Sequence, residues 1–312
     1  MLAAFSLLTW IAPSHAAVDF VYVRSAVRDP GTVVVDTRPL EACKQRTLAG
    51  AVCLPAAIFL GPHRRLPNER DLLWLLGTTG LKGDETVLVV GQDATARDFV
   101  AGLLYLSGQR NLRVLMEPVG RLLESDIGAG PGRERSFARE KVFKAPMRDE
   151  LVVLRDELRA MNPPPMLLDG RAENEYWGEV IRGARAGHLP GAVSLPGLAL
   201  RAALATPATR PVLPEGSPVA YGHDAYEGLA YLTLLTAGYG MPARLYLAGW
   251  AEWAADGALP VDAAAYPEQT GAHPAEVTPT DVQRPGALVA GILAMGLAAF
   301  AAGWWLKRRR TS

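Results

Sequence analysis

The sequence predicts an α/β fold in which parallel sheets carry helices on both faces, with the whole arrangement repeated once along the chain. Short apolar runs alternate with helical patterns, and three short motifs recur in the same order. With 312 residues, 49% of them hydrophobic, the chain can bury one or two sizeable cores. A prior of about 150 residues per domain favours two.

The internal repeat consists of three pairs of motifs. They are TVVVDTR (32–38) with PMLLDGR (165–171), AGAVCLP (49–55) with PGAVSLP (190–196), and VLVVGQDA (87–94) with PVAYGHDA (218–225). The first pair is an apolar run closed by Asp-x-Arg, as expected for a buried parallel strand that ends in a charged turn. We interpret the series as a duplicated strand–helix domain, and chance similarity of short apolar runs is the alternative.

The third motif of each copy leads from a strand into a helix, and this order of elements favours a parallel sheet. In open sheets of this kind, ligands bind at the carboxyl ends of the strands. The loops that start at Gly91 and Gly222 are predicted to lie there.

The charges balance, with 32 basic and 32 acidic residues, so nucleic-acid binding has no support. Four of the basic residues lie together at 307–310, which leaves the rest of the chain mildly acidic. The sequence has no Cys-x-x-Cys, no His-Glu-x-x-His and no phosphate-loop motif, and its histidines are scattered. We therefore expect neither a metal site nor a cofactor.

The N-terminus has the pattern of a secretory signal peptide. A mainly apolar run at residues 2–12 is followed by small residues at Ser14 and Ala16, which suit cleavage before Ala17. No Lys or Arg precedes the run, which departs from the usual pattern. We expect residues 1–16 to be a signal peptide that directs export, and a buried N-terminal helix is the alternative.

A charge-free run at residues 286–306 matches the about 20 apolar residues that a membrane-spanning helix needs. Trp304 and Trp305 suit a membrane interface, and the basic tail at 307–312 is predicted to stay in the cytoplasm. The chain is then a single-pass protein of a bacterial inner membrane, with its body in the periplasm. The Pro-rich residues 265–285 are predicted to be a tether. A buried core helix at 286–306 is the alternative.

Residues 167–196, in the second copy, resemble the entry motif of the tandem-domain rhodaneses, or thiosulfate sulfurtransferases. The matching positions are Asp169, Arg171, Glu175, Tyr176, Gly178, Gly187, His188, Pro190, Gly191 and Ala192. Residues 245–262 are similar to that family's closing segment, with Trp250 and Trp253 in its Gly-Trp-x-x-Trp helix. The first copy is more degraded and keeps Asp36, Arg38, Gly50, Ala51 and Pro55.

The resemblance implies two rhodanese-like domains, each a mainly parallel five-stranded sheet with helices on both faces. We assign the first, degenerate domain to residues 17–127 and the second to residues 146–264. Residues 128–145, which include an Arg-rich stretch, are expected to be an exposed connection.

In active rhodaneses a Cys opens the loop after the fourth strand and takes a sulfane sulfur as a persulfide, which it passes to a nucleophilic acceptor. Inward-pointing loop amides and the following helix N-terminus stabilise the thiolate. The matching positions here are Gly222 and Gly91, and glycine has no side chain that can attack. We therefore expect no catalytic residue in either loop.

The remaining loop residues support the same interpretation. They are His223, Asp224, Ala225, Tyr226 and Glu227 in the second copy, and Gln92 and Asp93 in the first. The carboxylates of Asp224 and Glu227 disfavour an anion such as thiosulfate, and a protonated His223 would partly offset them. We expect Asp93 and Asp224 to cap the helices that follow rather than to act in catalysis.

The chain has two cysteines, Cys43 and Cys53, and neither lies at a rhodanese nucleophile position. Cys43 is predicted in a helical segment, and Cys53 in a strand where the other copy has Ser194. In an oxidising compartment we expect a structural disulfide between them. Two inert buried thiols, or a redox or sulfur-carrying pair, are the alternatives.

The sequence favours an exported, membrane-anchored rhodanese-like protein that is catalytically degenerate and acts as a binding or accessory module linked to sulfur or respiratory metabolism. An active sulfurtransferase that uses Cys43 or Cys53 is the first alternative. A structural partner of a membrane-bound respiratory or sulfur-handling complex is the second. The expected partners are the membrane, a membrane or periplasmic protein, and a small anion if the loops still bind one.

Overall fold

The computed structural model describes residues 19–263 except 28, 127 and 207–209. The predicted signal peptide, most of the tether, the predicted membrane-spanning helix and the basic tail lie outside these residues. Within the part of the chain that the structure describes, no helix has both the length and the apolar character needed to span a bilayer.

The first half of the chain forms a five-stranded parallel sheet in the order β1-β6-β5-β2-β4. Its strands are β1 (Asp19–Val23), β2 (Val33–Asp36), β4 (Val52–Cys53), β5 (Thr86–Val90) and β6 (Asn111–Leu115). Two short strands, β3 (Thr47–Leu48) and β7 (Ala129–Gly130), pair antiparallel beside it. The helices are α1 (Leu40–Gln45), α2 (Glu69–Thr78), α3 (Ala94–Leu106) and α4 (Val119–Glu124).

The second half forms another five-stranded parallel sheet, in the order β10-β9-β11-β12-β8. Its strands are β8 (Val152–Val153), β9 (Leu167–Asp169), β10 (Val193–Ser194), β11 (Val219–Tyr221) and β12 (Arg244–Tyr246). The helices are α5 (Arg155–Ala160), α6 (Glu173–Tyr176), α7 (Gly197–Ala205), α8 (Ala225–Thr233) and α9 (Gly249–Ala255). Counted in chain order within each five-stranded sheet, the first, fifth, fourth, second and third strands lie side by side in both.

The apolar strands are buried on both faces, because alternate side chains of a strand point to opposite sides of its sheet. In the first sheet, Val35 and Val89 enter the core that holds Leu72 of α2, whereas Val34 and Leu88 enter the core beneath α4. The second sheet is also covered on both faces, by α8 on one side and α9 on the other. The predicted parallel sheets with helices on both faces are confirmed.

The two halves share one core, in which α3 and α8 pack against each other. A Cβ atom at Gly102 would lie 2.4 Å from the carbonyl oxygen of Leu229, so the close approach of the helices requires a glycine there. The Thr233 hydroxyl donates a hydrogen bond to the carbonyl of Asp98 across this joint. The halves are therefore packed as one body rather than loosely linked.

The segment at residues 128–145 joins the halves and was predicted to be an exposed connection, but parts of it are bonded to or buried against the first half. Arg133 donates its backbone N–H to Ala51 and accepts one from Cys53, which extends the edge of the first sheet. Phe143 is buried in the shared core. These contacts are made by backbone groups and one isolated aromatic residue, which leave no periodic pattern in the sequence.

A disulfide joins Cys43 of α1 to Cys53 of β4, and both residues are buried. Gly132 lies directly against it, since a Cβ atom there would come within 2.7 Å of both sulfurs. In the second half, the Tyr176 hydroxyl connects α6 to the segment before β10 through a hydrogen bond to the Ala192 carbonyl. The helix after the second strand of each sheet is thus linked to the third strand or the residue just before it, by a disulfide in the first half and by a hydrogen bond in the second.

Replacing both cysteines in a Cys43→Ser/Cys53→Ser variant should lower the free energy of unfolding by about 3 kcal/mol, because the unfolded chain loses a closed loop. Urea unfolding of the oxidised wild type, the dithiothreitol-reduced wild type and the variant would measure this. We expect the reduced wild type and the variant to have the same urea midpoint, below that of the oxidised wild type. An unchanged midpoint in both would show that the disulfide does not stabilise the fold.

Candidate functional site

The candidate site is the loop that links β11 to α8 at the carboxyl end of the second sheet. Gly222 follows the last residue of β11, and α8 begins at Ala225. The first half has an equivalent loop, in which Gly91 follows β5 and α3 begins at Ala94. Both loops follow the fourth strand of their sheet, as the sequence repeat predicts.

The chain itself fills the space beside Gly222. A Cβ atom at this position would lie 2.7 Å from the backbone nitrogen of Gly228 and 2.8 Å from the carbonyl carbon of Glu227. At Gly91, a Cβ atom would lie 2.3 Å from the Thr37 hydroxyl oxygen. Neither loop, in this conformation, has room for a side chain at its first position.

The carbonyl groups of the second loop are held by the start of α9. The backbone N–H groups of Trp250 and Ala251 donate to the carbonyls of Gly222 and His223, at 3.0 and 2.8 Å. Gly249 makes this approach feasible, because its φ is +63° and a Cβ atom there would lie 2.5 Å from the Gly222 oxygen.

The first loop is held in the same way by α4. Val119 donates its backbone N–H to the carbonyl of Gly91, and Gly120 donates to the Gln92 side chain. The Gln92 side-chain oxygen therefore accepts a backbone N–H from the following helix, as the His223 carbonyl does in the second half. Both loops are fixed by the helix that follows the fifth strand.

Asp93 and Asp224 are N-caps. The Asp93 carboxylate accepts the backbone N–H of Ala96 at 2.7 Å, and the Asp224 carboxylate accepts that of Glu227 at 3.0 Å. The capping predicted from the sequence is confirmed. Each carboxylate takes up a free amide of the first helical turn, which is the group that an incoming anion would use.

Two arginines neutralise the loop carboxylates. Arg182 binds Glu227 with two hydrogen bonds of 2.7 and 2.8 Å and also contacts Glu175 at 2.8 Å. Arg64, from the first half, lies 3.2 Å from Asp224. The expectation that Asp224 and Glu227 leave the loop negative is wrong, because both carboxylates are paired with arginines. Neither arginine has a sequence spacing that relates it to the loop, so the sequence alone did not indicate the pairing.

These contacts set the ionisation of Glu227. Burial raises the pKa of Glu227, but the hydrogen bonds and positive charge of Arg182 outweigh burial and leave the pKa below its usual value. The carboxylate is therefore ionised and paired at neutral pH.

The His223 ring is neutral at neutral pH, because its surroundings disfavour the protonated form. Burial and then the charge of Arg182 lower the pKa of His223, and the ring nitrogen Nδ1 is buried without a hydrogen-bond partner. The ring cannot supply the compensating positive charge considered from the sequence. As the pH falls below the ordinary pKa of histidine, the unfolded chain binds a proton that the folded ring resists, so the free energy of unfolding should decrease.

An Arg182→Gln variant should raise the pKa of His223 and of Glu227, because both lose the nearby cation. Proton NMR titration of the histidine ring, assigned with a His223→Gln variant, would measure the first shift. The matched control is Arg159→Gln, on the exposed surface of α5, which should leave the pKa of His223 unchanged. An unchanged or lower pKa in Arg182→Gln would contradict the assigned cause.

The predicted frame residues Asp169 and Arg171 form a buried ion pair at the end of β9. The Arg171 guanidinium donates to both carboxylate oxygens of Asp169 and lies 4.5 Å from the ring centroid of Trp250. The Tyr221 hydroxyl donates to the same carboxylate at 2.7 Å. In the first half, Asp36 and Arg38 make the corresponding pair, so this pair fixes the strand end in both copies.

The other frame residues, His188 and Trp253, are also structural. The His188 ring stacks on Tyr176 at 3.7 Å between centroids, and its Nδ1 lies 2.8 Å from the Tyr176 carbonyl. The Trp253 indole N–H donates to the Pro260 carbonyl. Arg185, which no sequence motif singles out, donates four hydrogen bonds to carbonyls around the end of α9.

A cleft of about 370 Å³ opens beside the loop, between the carboxyl ends of β9 and β10 and the first turns of α8. The charged residues that line it are Arg171, Glu175, Arg182, Arg201 and Glu227. Each arginine is paired, Arg201 with Asp98 of the first half. The positive charge that lines this cleft is therefore already paired with carboxylates.

Neither cysteine lines this cleft, and the two sulfurs are bonded to each other beneath Gly132. Within the described residues there is no cluster of three or more histidine, cysteine or acidic side chains able to hold a metal ion. The arrangement around the loop therefore offers paired charges and hydrogen-bonded backbone, with no thiol at its centre.

Comparison with known proteins identifies the second half of the chain. Residues 153–256 match the family model of the rhodanese-like domain. This match covers β8 to α9 and includes the loop at Gly222. No curated protein matches the chain significantly.

Solved structures share this fold over 76% of the chain. A probable thiosulfate sulfurtransferase is 25% identical, with a TM-score of 0.53, over 76% of this chain and 99% of that one. The anaerobic ergothioneine biosynthesis enzyme of Chlorobium limicola, in complex with trimethyl histidine, is 20% identical with a TM-score of 0.58. An EanB structure with a cysteine persulfide and ergothioneine is 19% identical with a TM-score of 0.60.

The two ergothioneine-related matches each cover 76% of this chain but 66% of the other chain, which is just under two thirds of their length. At this identity they show a common fold. The comparisons therefore show a rhodanese-like fold of the sulfurtransferase type, and a fold does not by itself determine activity or substrate.

Proposed function

We propose that the chain is a tandem rhodanese-like protein whose sulfur-carrying position has been lost in both halves, and that it acts as a binding or accessory module. The observation that carries this proposal is the loop at Gly222, where a rhodanese would place its cysteine. The chain has a glycine there, and the first turn of α8 occupies the space of a side chain.

The surrounding contacts support a stable loop without a sulfur-handling role. The carbonyls of Gly222 and His223 are bonded to α9, Asp224 caps α8, and Glu227 is paired with Arg182. A rhodanese loop stabilises a persulfide with free amides and positive charge. In this loop, the Asp224 carboxylate already takes one amide of the first turn of α8, and the positive charge of Arg182 is paired with Glu227.

The active sulfurtransferase that would use Cys43 or Cys53 receives no support from the geometry. Both sulfurs are buried and joined to each other, and neither cysteine lines the cleft beside α8. Sulfur transfer at this pair would require reduction of the disulfide and displacement of the segment around Gly132.

We also propose the cellular placement that the sequence suggests. Residues 286–306 anchor the protein in a bacterial inner membrane, the body stands in the periplasm, and the partner is a membrane or periplasmic protein of sulfur or respiratory metabolism. The charge-free run, the two tryptophans and the basic tail that follows support this placement.

Mass spectrometry of the purified full chain after incubation with thiosulfate tests the degenerate site. We expect an intact Cys43–Cys53 disulfide and no added sulfur on either residue. A persulfide on either cysteine would support the sulfurtransferase instead.

Membrane fractionation tests the proposed anchor. It should recover the full chain with the membrane and a chain ending at residue 285 in the soluble fraction, and equal distributions of the two chains would contradict the anchor.

A further inference from the structure

One edge of each parallel sheet is its third strand, β4 in the first half and β10 in the second. The edge of β4 is covered by the segment that joins the halves. In that segment, Arg133 donates its backbone N–H to the Ala51 carbonyl at 2.8 Å and accepts the N–H of Cys53 at 2.9 Å. The segment runs parallel to β4, and Val52, which lies beside Arg133, is fully buried.

The corresponding edge of the second sheet is open. Residues 192–194 take the places of residues 51–53, and both sets pair with the neighbouring strand in the same register. The Val193 side chain is nevertheless 50% exposed. Over the described residues, no backbone hydrogen bond reaches the outer side of β10 as those of Arg133 reach β4. Unpaired N–H and C=O groups at the edge of a sheet are a template for an added strand.

The last described residues lie close to the start of β10. Asp262 exchanges two backbone hydrogen bonds with His188, as β7 pairs with β3 in the first half, and its carboxylate accepts the N–H of Gly191. Arg133 is the third residue after β7, and Ala265 is the third residue after Asp262. A chain that continues with the same spacing brings Ala265 to the edge of β10, where Arg133 lies on the edge of β4.

The side chains beside the two edges differ in a matching way. In the first half, Lys44 pairs with Glu134 of the covering segment at 2.9 Å. Lys44 and Trp177 each lie eight residues after the end of the second strand of their sheet, and Trp177 is 37% exposed. The position that corresponds to Glu134 is Tyr266. An ion pair in the first half thus corresponds to two aromatic residues in the second, and both combinations attract.

We propose that residues 264–266 bind the open edge of β10 as an extended segment parallel to that strand. Ala265 donates its N–H to the Ala192 carbonyl and accepts the N–H of Ser194. The Ala192 carbonyl also accepts the Tyr176 hydroxyl, and a carbonyl oxygen has two lone pairs for these two bonds.

The Tyr266 ring packs on the exposed side of Trp177, and the segment covers Val193. These contacts bury apolar surface that the described residues leave in water. Pro267 follows and has no N–H for a further strand bond, so the segment ends there. The predicted tether therefore begins at residue 267 rather than at residue 265.

One contact of the first half is not repeated. Gly132 donates its N–H to the Cys43 carbonyl, whereas the Tyr176 carbonyl is already bonded to the His188 ring. Ala264, at the position of Gly132, also carries a side chain. We therefore expect Ala264 to lie further from α6 than Gly132 lies from α1.

Disulfide trapping in the full chain tests the proposed pairing. In a Val193→Cys/Ala265→Cys variant, the two new thiols lie on paired residues and should form a disulfide in air, while the Cys43–Cys53 disulfide stays intact. The matched control is Val193→Cys/Thr270→Cys, whose second thiol lies further along the same chain. Mass spectrometry of unreduced peptides should show the first pair closing at least about tenfold faster than the control. Equal rates would overturn the proposal, because the segment would not be held at β10.

Amide hydrogen exchange of the full chain tests the hydrogen bonds separately. The N–H of Ser194 should exchange at least about tenfold more slowly in the wild type than in an Ala265→Pro variant, because proline cannot donate to Ala192 and its ring crowds that carbonyl. The matched control is Gln269→Pro, which should exchange like the wild type. Rapid exchange of Ser194 in the wild type, or equal exchange in the two proline variants, would overturn the proposal and leave the edge open to another protein chain.

Discussion

Replacing Asp98 with Ala should lower the free energy of unfolding by about 3–5 kcal/mol. Asp98 lies on α3 at the joint between the two halves and is fully buried. Its carboxylate accepts hydrogen bonds from Arg97 at 2.9 Å and from Arg201, on α7 of the other half, at 2.8 Å. Without the carboxylate, the buried guanidinium of Arg97 keeps its charge and loses its counter-ion.

Thermal unfolding of the full chain measures this effect, and the melting temperature should fall by roughly 10 °C. The matched control is Glu134→Ala, which removes an exposed carboxylate paired with Lys44 and should leave the melting temperature almost unchanged. If Asp98→Ala were no less stable than Glu134→Ala, the ion pair would not be holding the halves together.

Introducing a cysteine at the loop by Gly222→Cys should yield an inactive and destabilised protein. The new Cβ atom would overlap the backbone of α8, so the loop must move. Overpacking costs about 1–3 kcal/mol, and the hydrogen bonds from Trp250 and Ala251 to the loop add about 1 kcal/mol each when broken. We expect a loss of about 3–5 kcal/mol in total.

The control is Gly257→Cys, because a Cβ atom at Gly257 meets nothing within 4 Å and that glycine is exposed. This variant carries the same new thiol, and should unfold like the wild type and react readily with a thiol reagent. A Gly222→Cys variant that is as stable as Gly257→Cys, or that turns over thiosulfate, would show that the loop retains the space for a nucleophile.

The strands and loops were predictable because their signals are local. An apolar run closed by Asp-x-Arg is the same physical unit in both halves, since the arginine folds back onto the aspartate two residues before it. The caps Asp93 and Asp224 are equally local, because each accepts an amide three residues further on. Such contacts depend on residue types at fixed short spacings.

The charges of the site were not predictable, because the decisive partners are distant in sequence. Arg182 is 45 residues from Glu227, and Arg201 is 103 residues from Asp98. The sequence therefore indicated an acidic loop, whereas the fold pairs those carboxylates with arginines. The joint between α3 and α8 left only a weak signal, a glycine within an apolar helix.

The proposed loss of sulfur transfer depends on the absence of a sulfur-carrying group at the carboxyl end of either sheet. Sulfur transfer from thiosulfate to cyanide, measured with the purified full chain beside a protein-free blank, tests this most directly. We predict a rate equal to the blank for both the wild type and the Cys43→Ser/Cys53→Ser variant. Turnover by the wild type above the blank would contradict the account, and its loss in the variant would identify the cysteine pair as the carrier.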